Sequence, residues 1–419
     1  MSGTGPQEAP EWLPRRALVL GLGRSGRAAA LALSRRGVAV VAADRSADAD
    51  PGRLAEAGVE VRAGSEEESL LEGVELVVKS PGVPAESPLA AAARARAIPI
   101  WSEVELGYRL LPGNPLIGVT GTNGKTTTTE LLGAILRADG RTVEVAGNVG
   151  RALTDVAEQI EPGASVVCEL SSFQLEDVHA FACDVAVLLN LEPDHLDRHG
   201  TFEAYRDAKL RIFERARVKI VPPGLGLDGI EFAADDPLPA ALRIPGAHNR
   251  ENAAAATAAA RAAGVGDAAI AEALRTFAGV PHRLELVREL RGVRYVNDSK
   301  ATNTAAARRG VAAYLEPLRL ILGGSLKGED FGPFARDLPA NVRSIYLIGE
   351  AADELAAALD AAGRPYSRAG DLTHALAHAS ADAEPGDVVL LSPAAASYDQ
   401  FDDFEQRGDT FRTLVERLP

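Results

Sequence analysis

Residues 116–136, LIGVTGTNGKTTTTELLGAIL, constrain this chain more than any other stretch. An apolar strand runs into a glycine-rich turn, and Lys125-Thr126 opens a helix. Such a turn aims backbone N–H groups at a phosphate. The lysine can reach the terminal phosphates, and the neighbouring hydroxyl can ligate Mg²⁺. The strict G-x-x-x-x-G-K-[ST] spacing is not met, because its first glycine would fall at Val119 and Gly118 stands one position early. Gly121 and Gly124 still permit close backbone approach. The segment therefore reads as a variant phosphate loop inside an α/β layer.

The flanking sequence has the same character. ASVVCELSSFQLE and DVAVLLNLEPDHLD are near-continuous apolar strands, as expected for a parallel sheet buried on both faces. Glu169, Ser171, Asp194 and His195 fall at or just past the ends of these strands, where open α/β sheets bind ligands. A carboxylate ending a buried strand needs a partner, and Mg²⁺ opposite the phosphate loop would supply one for Glu169. GAHNRENAAAATAAARAAG reads as an alanine-rich helix.

Upstream, a strand at 17–20, a turn, a helix and a strand ending at Asp44 form a βαβ unit. Its turn, GLGRSG at Gly21–Gly26, matches G-x-G-x-x-G, with Asp44 placed for a ribose. A nicotinamide or flavin, a UDP-linked substrate and a purely structural turn all satisfy this pattern. Another strand ends at Ser80-Pro81-Gly82, and a strand-to-helix passage near Glu103 suggests a boundary. From about Val280, strands VRYVND, LRLILGG, SIYLIG and DVVLLSP alternate with helices, giving a third α/β unit. The expected domains are 1–103, 104–279 and 280–419.

Composition narrows the function. A net charge of −15 over 419 residues argues against non-specific nucleic-acid binding. Cys168 and Cys183 are the only cysteines, so no disulfide framework is expected and a reducing, cytoplasmic setting fits. The first residues lack the order of a signal peptide, and no uncharged apolar run is long enough to span a membrane. His195 and His199 have zinc-like i,i+4 spacing, but Leu196 breaks H-E-x-x-H. His374 and His378 share that spacing on an alanine-rich helix and read as a solvated face. Only six lysines occur, Lys79, Lys125, Lys209, Lys219, Lys300 and Lys327, against a background of arginine. The survivors are enriched for positions that need a compact amine.

GTNGKTTT, ELSSFQLE, NLEPDHLDRHGTFEAYRDAKLRIF, HNRENA, PHRLE, NDSKATN and LSPAAASYDQFDDFEQRGDTF occur in that order. On these motifs the chain resembles the ATP-dependent Mur ligases of peptidoglycan synthesis, over nearly its whole length after the N-terminal extension. ELSSFQLE and SPAAASYDQFDDFEQRG point to the member that adds D-glutamate. The D-N-P-R signature of the diamino-acid-adding member and the DDYAHHP run of the alanine-adding member are missing.

The resemblance implies a Rossmann-like UDP-binding domain, a central phosphate-loop ATPase domain and a Rossmann-like C-terminal domain. It implies ATP and Mg²⁺, two ions by family precedent, as cofactors, and UDP-N-acetylmuramoyl-L-alanine and D-glutamate as substrates of a monomer. Gly121, Thr122, Asn123, Gly124, Lys125, Thr126, Thr127, Asn252, Arg283 and Asp298 would bind ATP. Thr126, Glu169, His195 and Lys209 would surround the metals, with Lys209 carbamylated. Arg24, Ser25, Asp44, Arg45, Ser80 and Asn148 would hold the UDP-sugar. Thr302, Lys327, Ser397, Tyr398 and Phe404 would form the D-glutamate site. Two departures stand out: the stretch between Lys209 and His248 is short, so a trimmed edge of the central sheet is expected, and Tyr398 replaces a usually aliphatic residue. A nicotinamide oxidoreductase using GLGRSG and a non-catalytic nucleotide switch are the rival classes.

Overall fold

The computed structural model describes residues 12–419 except 50, 245 and 327. The opening residues discussed above and Lys327 lie outside the described residues. The chain divides into two compact units, one of residues 1–242 and 247–276, the other of residues 243–246 and 277–419.

The first unit holds two parallel sheets. Strands β1 (Arg16–Leu20), β2 (Ala39–Asp44), β3 (Glu60–Ala63), β4 (Leu76–Lys79) and β5 (Ile100–Ser102) assemble in the order β3-β2-β1-β4-β5. The order reverses between β1 and β4, which opens a crevice beyond their carboxyl ends. Strands β6 (Leu116–Thr120), β7 (Val143–Gly147), β8 (Ser165–Glu169), β9 (Val185–Leu188), β10 (Val218–Val221) and β11 (Ile230–Glu231) follow in the order β11-β10-β9-β6-β8-β7. Every residue of β6, β8 and β9 is buried, as their unbroken apolar sequences require. Among the described residues, the strands of the short stretch after Lys209 are β10 and the two-residue, exposed β11 at the edge of this sheet.

The expected boundary near Glu103 is a helix, Glu103–Leu110, capped by Ser102 and packed between the two sheets. It carries two buried carboxylates. Glu103 Oε1 accepts from the backbone N–H and the hydroxyl of Thr154, at 2.7 and 2.8 Å, and so holds the start of helix Leu153–Ala157. Glu105 accepts backbone N–H groups from His179, Ala180 and Phe181 and the Arg109 guanidinium. These contacts lock the two sheets of this unit to one shared helix. The alanine-rich helix Ala247–Ala262 buries its small side chains against helix Lys125–Ala138, which lets the two helices approach closely.

The second unit holds β12 (Glu285–Leu290), β13 (Val293–Asn297), β14 (Leu318–Gly323), β15 (Val342–Ile348), β16 (Ser367–Gly370) and β17 (Val388–Leu391) in the order β12-β13-β17-β14-β15-β16. All neighbours are parallel except the β12–β13 hairpin. Helix Leu372–Asp382 leaves His374 and His378 exposed, as its sequence suggested.

Candidate functional site

Three adjacent strands of the central sheet end on one edge. The loop after β6 is the phosphate loop, Glu169 closes β8, and the segment after β9 leads to His195. Gly121 has φ +152° and an added Cβ would lie 2.9 Å from Leu189 Cβ. Gly124 has φ +82°, and its added Cβ would lie 2.1 Å from Asn252 Oδ1. Only glycine fits here, because the loop is pinned between the β9 segment and the alanine-rich helix. Asn190 pins it further. Its carbonyl accepts from Thr122 N–H, and its side-chain oxygen accepts from Asn123 N–H at 2.8 Å. The Thr122 hydroxyl pairs with Tyr205 at 2.9 Å.

Two lysines converge on one carbonyl of this loop. Lys125 Nζ donates to the Gly121 and Thr122 carbonyls at 3.0 and 2.9 Å. Lys209 Nζ donates to the same Gly121 carbonyl at 2.7 Å and lies 4.8 Å from the centre of the Tyr205 ring. Lys209 is buried, and its pKa falls from 10.5 to about 7, first through loss of hydration and then through the neighbouring Lys125 charge. A large fraction of this amine is neutral at physiological pH.

Glu169 is buried at the end of β8. Its Oε1 accepts from Asn148 Nδ2 at 3.0 Å, while its Oε2 is buried without a partner. A buried carboxylate oxygen without a donor is costly, and a divalent cation would satisfy it. Thr126 is buried one residue after Lys125, with Thr127 beside it. His195 has φ +52° and caps the four-residue helix Leu196–His199; its half-exposed ring lies 5.0 Å from that of Phe173. His199 Nε2 pairs instead with the Ser172 hydroxyl at 3.0 Å. No cluster of three or more His, Cys, Asp or Glu able to hold a metal is found among the described residues.

In the first sheet, a cleft of about 590 Å³ opens at the β1/β4 crevice. Arg24, Ser25, Asp44, Arg45, Ser80 and Asn148 all line it, so the six residues that the resemblance gave to the UDP-sugar lie together. The Ser80 hydroxyl donates to the Gly21 carbonyl at 2.8 Å. Both Asp44 oxygens accept backbone N–H groups, from Leu22 at 2.6 Å and Ser46 at 2.9 Å, so this carboxylate shapes the glycine turn itself. Asn148 joins the cleft to the central sheet: its carbonyl accepts from Arg24 at 3.0 Å, and its amide reaches Glu169. Gln174, passed over in the sequence, also lines the cleft and buries Nε2 without a partner. The signal for it was the capping box that it forms with Ser171.

In the second unit, Thr302 and Ser397 follow the carboxyl ends of β13 and β17. Ser397 is buried, Tyr398 is exposed, and Phe404 opens helix Phe404–Glu416 with its ring 5.5 Å from Lys300 Nζ. Asp298 is buried, with its carboxyl pushed up to about 7 by loss of hydration despite the Ser392 hydroxyl bond at 2.7 Å. Arg283 is exposed beside this region. Arg407 is fully buried and was not anticipated. It donates to the carbonyls of Ser299, Ala395 and Ala396, binding the loop before Ser397 to the loop after β13.

Comparison with known proteins places relatives beside this geometry. Residues 15–102 match the Mur ligase MurD-like N-terminal domain, residues 119–222 the Mur ligase middle domain, and residues 282–395 the Mur ligase glutamate ligase domain. The UDP-N-acetylmuramoylalanine--D-glutamate ligase of Acidobacterium capsulatum is 42% identical, with 96% of each chain covered. That of Desulfitobacterium hafniense is 41% identical, over 96% of this chain and 98% of its own. Among solved structures, the UDP-N-acetylmuramate-alanine ligase MurC of Thermotoga maritima superposes with a TM-score of 0.59 at 20% identity, covering 96% of this chain and 98% of its own. E. coli FolC in complex with DHPP and ADP gives 0.52 at 20% identity, over 74% of this chain and 91% of its own. These two structures share the fold.

Proposed function

The chain belongs to the Mur ligase family, and we propose that it joins D-glutamate to UDP-N-acetylmuramoyl-L-alanine, with ATP cleaved to ADP and phosphate. The observation that carries this reading is Asn148, bonded both to Arg24 in the sugar-nucleotide cleft and to Glu169 beside the phosphate loop. A UDP-sugar in that cleft would extend its lactyl-alanine arm toward the γ-phosphate.

The alanyl carboxylate attacks the γ-phosphate, forming an acyl phosphate and releasing ADP. It is already ionised, so no general base is needed; alignment and charge neutralisation are. Lys125 supplies the charge, and residues 121–127 with Asn252 hold the nucleotide. Thr126, Glu169, His195 and Lys209 would hold Mg²⁺, and the open Glu169 oxygen fits that role. Bound Mg²⁺ would neutralise phosphate charge in both steps. The neutral D-glutamate amine then attacks the acyl carbon; a C–N bond forms, phosphate leaves, and a proton passes to a phosphate oxygen, or to His195 when its imidazole is not holding the metal. Thr302, Lys327, Ser397, Tyr398 and Phe404 hold the amino acid, and Arg283 and Asp298 serve ATP.

Lys209 works as a carbamate. Its neutral amine adds CO₂ and loses a proton, so that an anion stands beside Lys125 in place of an amine. Arginine cannot do this, which accounts for a lysine in an arginine-rich chain. The protein acts as a monomer, and no helix among the described residues is long and apolar enough to cross a membrane. The test is phosphate release from ATP with UDP-N-acetylmuramoyl-L-alanine, comparing D-glutamate with other amines.

A further inference from the structure

One set of contacts runs from the substrate cleft to the metal-side residues and has no part in the steps above. Val83 lines the cleft, in the loop that follows β4 and Ser80. Its carbonyl accepts from Arg198 Nη2 at 2.6 Å and from Lys79 Nζ at 3.3 Å. The same Arg198 guanidinium lies 4.0 Å from the centre of the Phe173 ring. Phe173 follows Glu169 by four residues, and its ring contacts His195 at 5.0 Å and stacks on His199 at 5.2 Å with planes 7° apart. Arg198 and His195 share one helical turn, since the Arg198 N–H donates to the His195 carbonyl at 3.0 Å. His195 sits there at φ +52°, in the left-handed region that few non-glycine residues adopt.

The geometry points to Arg198 as a positioning residue that couples the UDP-sugar cleft to His195 and Glu169. The arginine has two grips. One is a hydrogen bond to a backbone carbonyl of the cleft loop. The other is a cation–π contact with Phe173, whose ring packs against that of His195. A substrate that settles the 80–84 loop thereby settles Arg198, and Arg198 sets Phe173 and the turn carrying His195. Lys79 reinforces the cleft end: it is buried, bonded to the same carbonyl and paired with Glu176 and Asp177 at 3.4 and 3.1 Å. The inference rests on the reading of the cleft as the UDP-sugar site and of His195 and Glu169 as metal-side residues.

The coupling is measured by calorimetric titration of Mg·ADP into the full chain, with and without saturating UDP-N-acetylmuramoyl-L-alanine. In the wild type the substrate should tighten Mg·ADP binding by about five-fold or more, within the usual range of coupling between sites. In Arg198→Ala that factor should fall to about one, while Mg·ADP binding without substrate stays within about two-fold of wild type. Phe173→Leu should lose the same factor, and the double variant should lose no more than either single one. Arg198→Lys, which keeps a donor and a cation, should recover part of it. A wild type without coupling overturns the proposal, as does an Arg198→Ala protein that keeps the full factor. So does one whose binary Mg·ADP affinity collapses with its melting temperature, since that is a structural role alone. Phosphate release by the wild type is read in parallel. If D-glutamate elicits none while the coupling holds, the assigned reaction fails and the positioning role stands.

Discussion

At Lys209 a single side chain carries most of the chemical argument. It donates to the Gly121 carbonyl, and burial first, then the neighbouring Lys125 charge, bring its pKa to about 7. Folding therefore disfavours the charged amine: the folded chain holds fewer protons here than the unfolded chain between about pH 7 and 10.5, and the penalty is fully present below pH 7. Carbamylation needs the neutral amine, so it should rise with pH through about 7. We expect ¹³C-bicarbonate to give a carbamate carbonyl signal that Lys209→Ala abolishes, and we expect that variant to lose turnover and regain part of it with added short carboxylates. Wild-type turnover by Lys209→Ala in CO₂-depleted buffer would remove the carbamate from the mechanism. At Lys125, substitution by alanine removes the loop's own cation, and kcat should fall by about 10³-fold, the scale of losing a charge-stabilising donor. These residues were legible in the sequence because their chemistry is local: a lysine and a threonine follow a glycine turn, and a lysine persists where arginine is the rule. Arg198 and Arg407 were not, since each takes its meaning from partners far away in the chain, Val83 and Ser299.

Among the elements, helix Glu103–Leu110 shows what pattern alone leaves out. Its position was legible, but the reach of Glu105 to the backbone of residues 179–181 was not, since nothing in the order of residues links them. Glu105→Ala would orphan three backbone donors and the Arg109 guanidinium, and should cost about 3–5 kcal/mol in urea unfolding, the range for breaking a buried pair. A loss below about 1 kcal/mol would show that water replaces the carboxylate without penalty. The strands that escaped the sequence reading, β3, β7, β10, β11, β12 and β16, mix exposed or half-buried positions into short segments, so they lack the apolar runs that marked β6, β8 and β9. In the third sheet, Asp298 has a folded pKa raised from 3.8 to about 7. The folded state holds its proton more tightly, so this group's contribution is fully present below about pH 4 and is lost as pH rises through 7. Asp298→Asn should flatten the fall in unfolding free energy between those limits, measured by urea titration at a series of pH values; an unchanged slope would contradict the buried, protonated form.

For the molecule as a whole, the fold class was readable because each of the three sheets announces itself with at least one unbroken apolar strand followed by a glycine or polar turn. What each turn binds was less readable. GLGRSG fits several nucleotides, and Asp44, the residue that would have argued for a ribose, spends both oxygens on the turn's own backbone. The assignment therefore leans on how the first unit joins its parts, through Asn148 between the cleft and Glu169. Phosphate release from ATP, measured with UDP-N-acetylmuramoyl-L-alanine and D-glutamate, L-glutamate, L-lysine or D-alanine in turn, tests this most directly. The account predicts release only with D-glutamate, together with a product heavier by one glutamyl residue. ATP binding without release for any amine would contradict it, and would leave a nucleotide-binding protein in which the ligase chemistry has been lost.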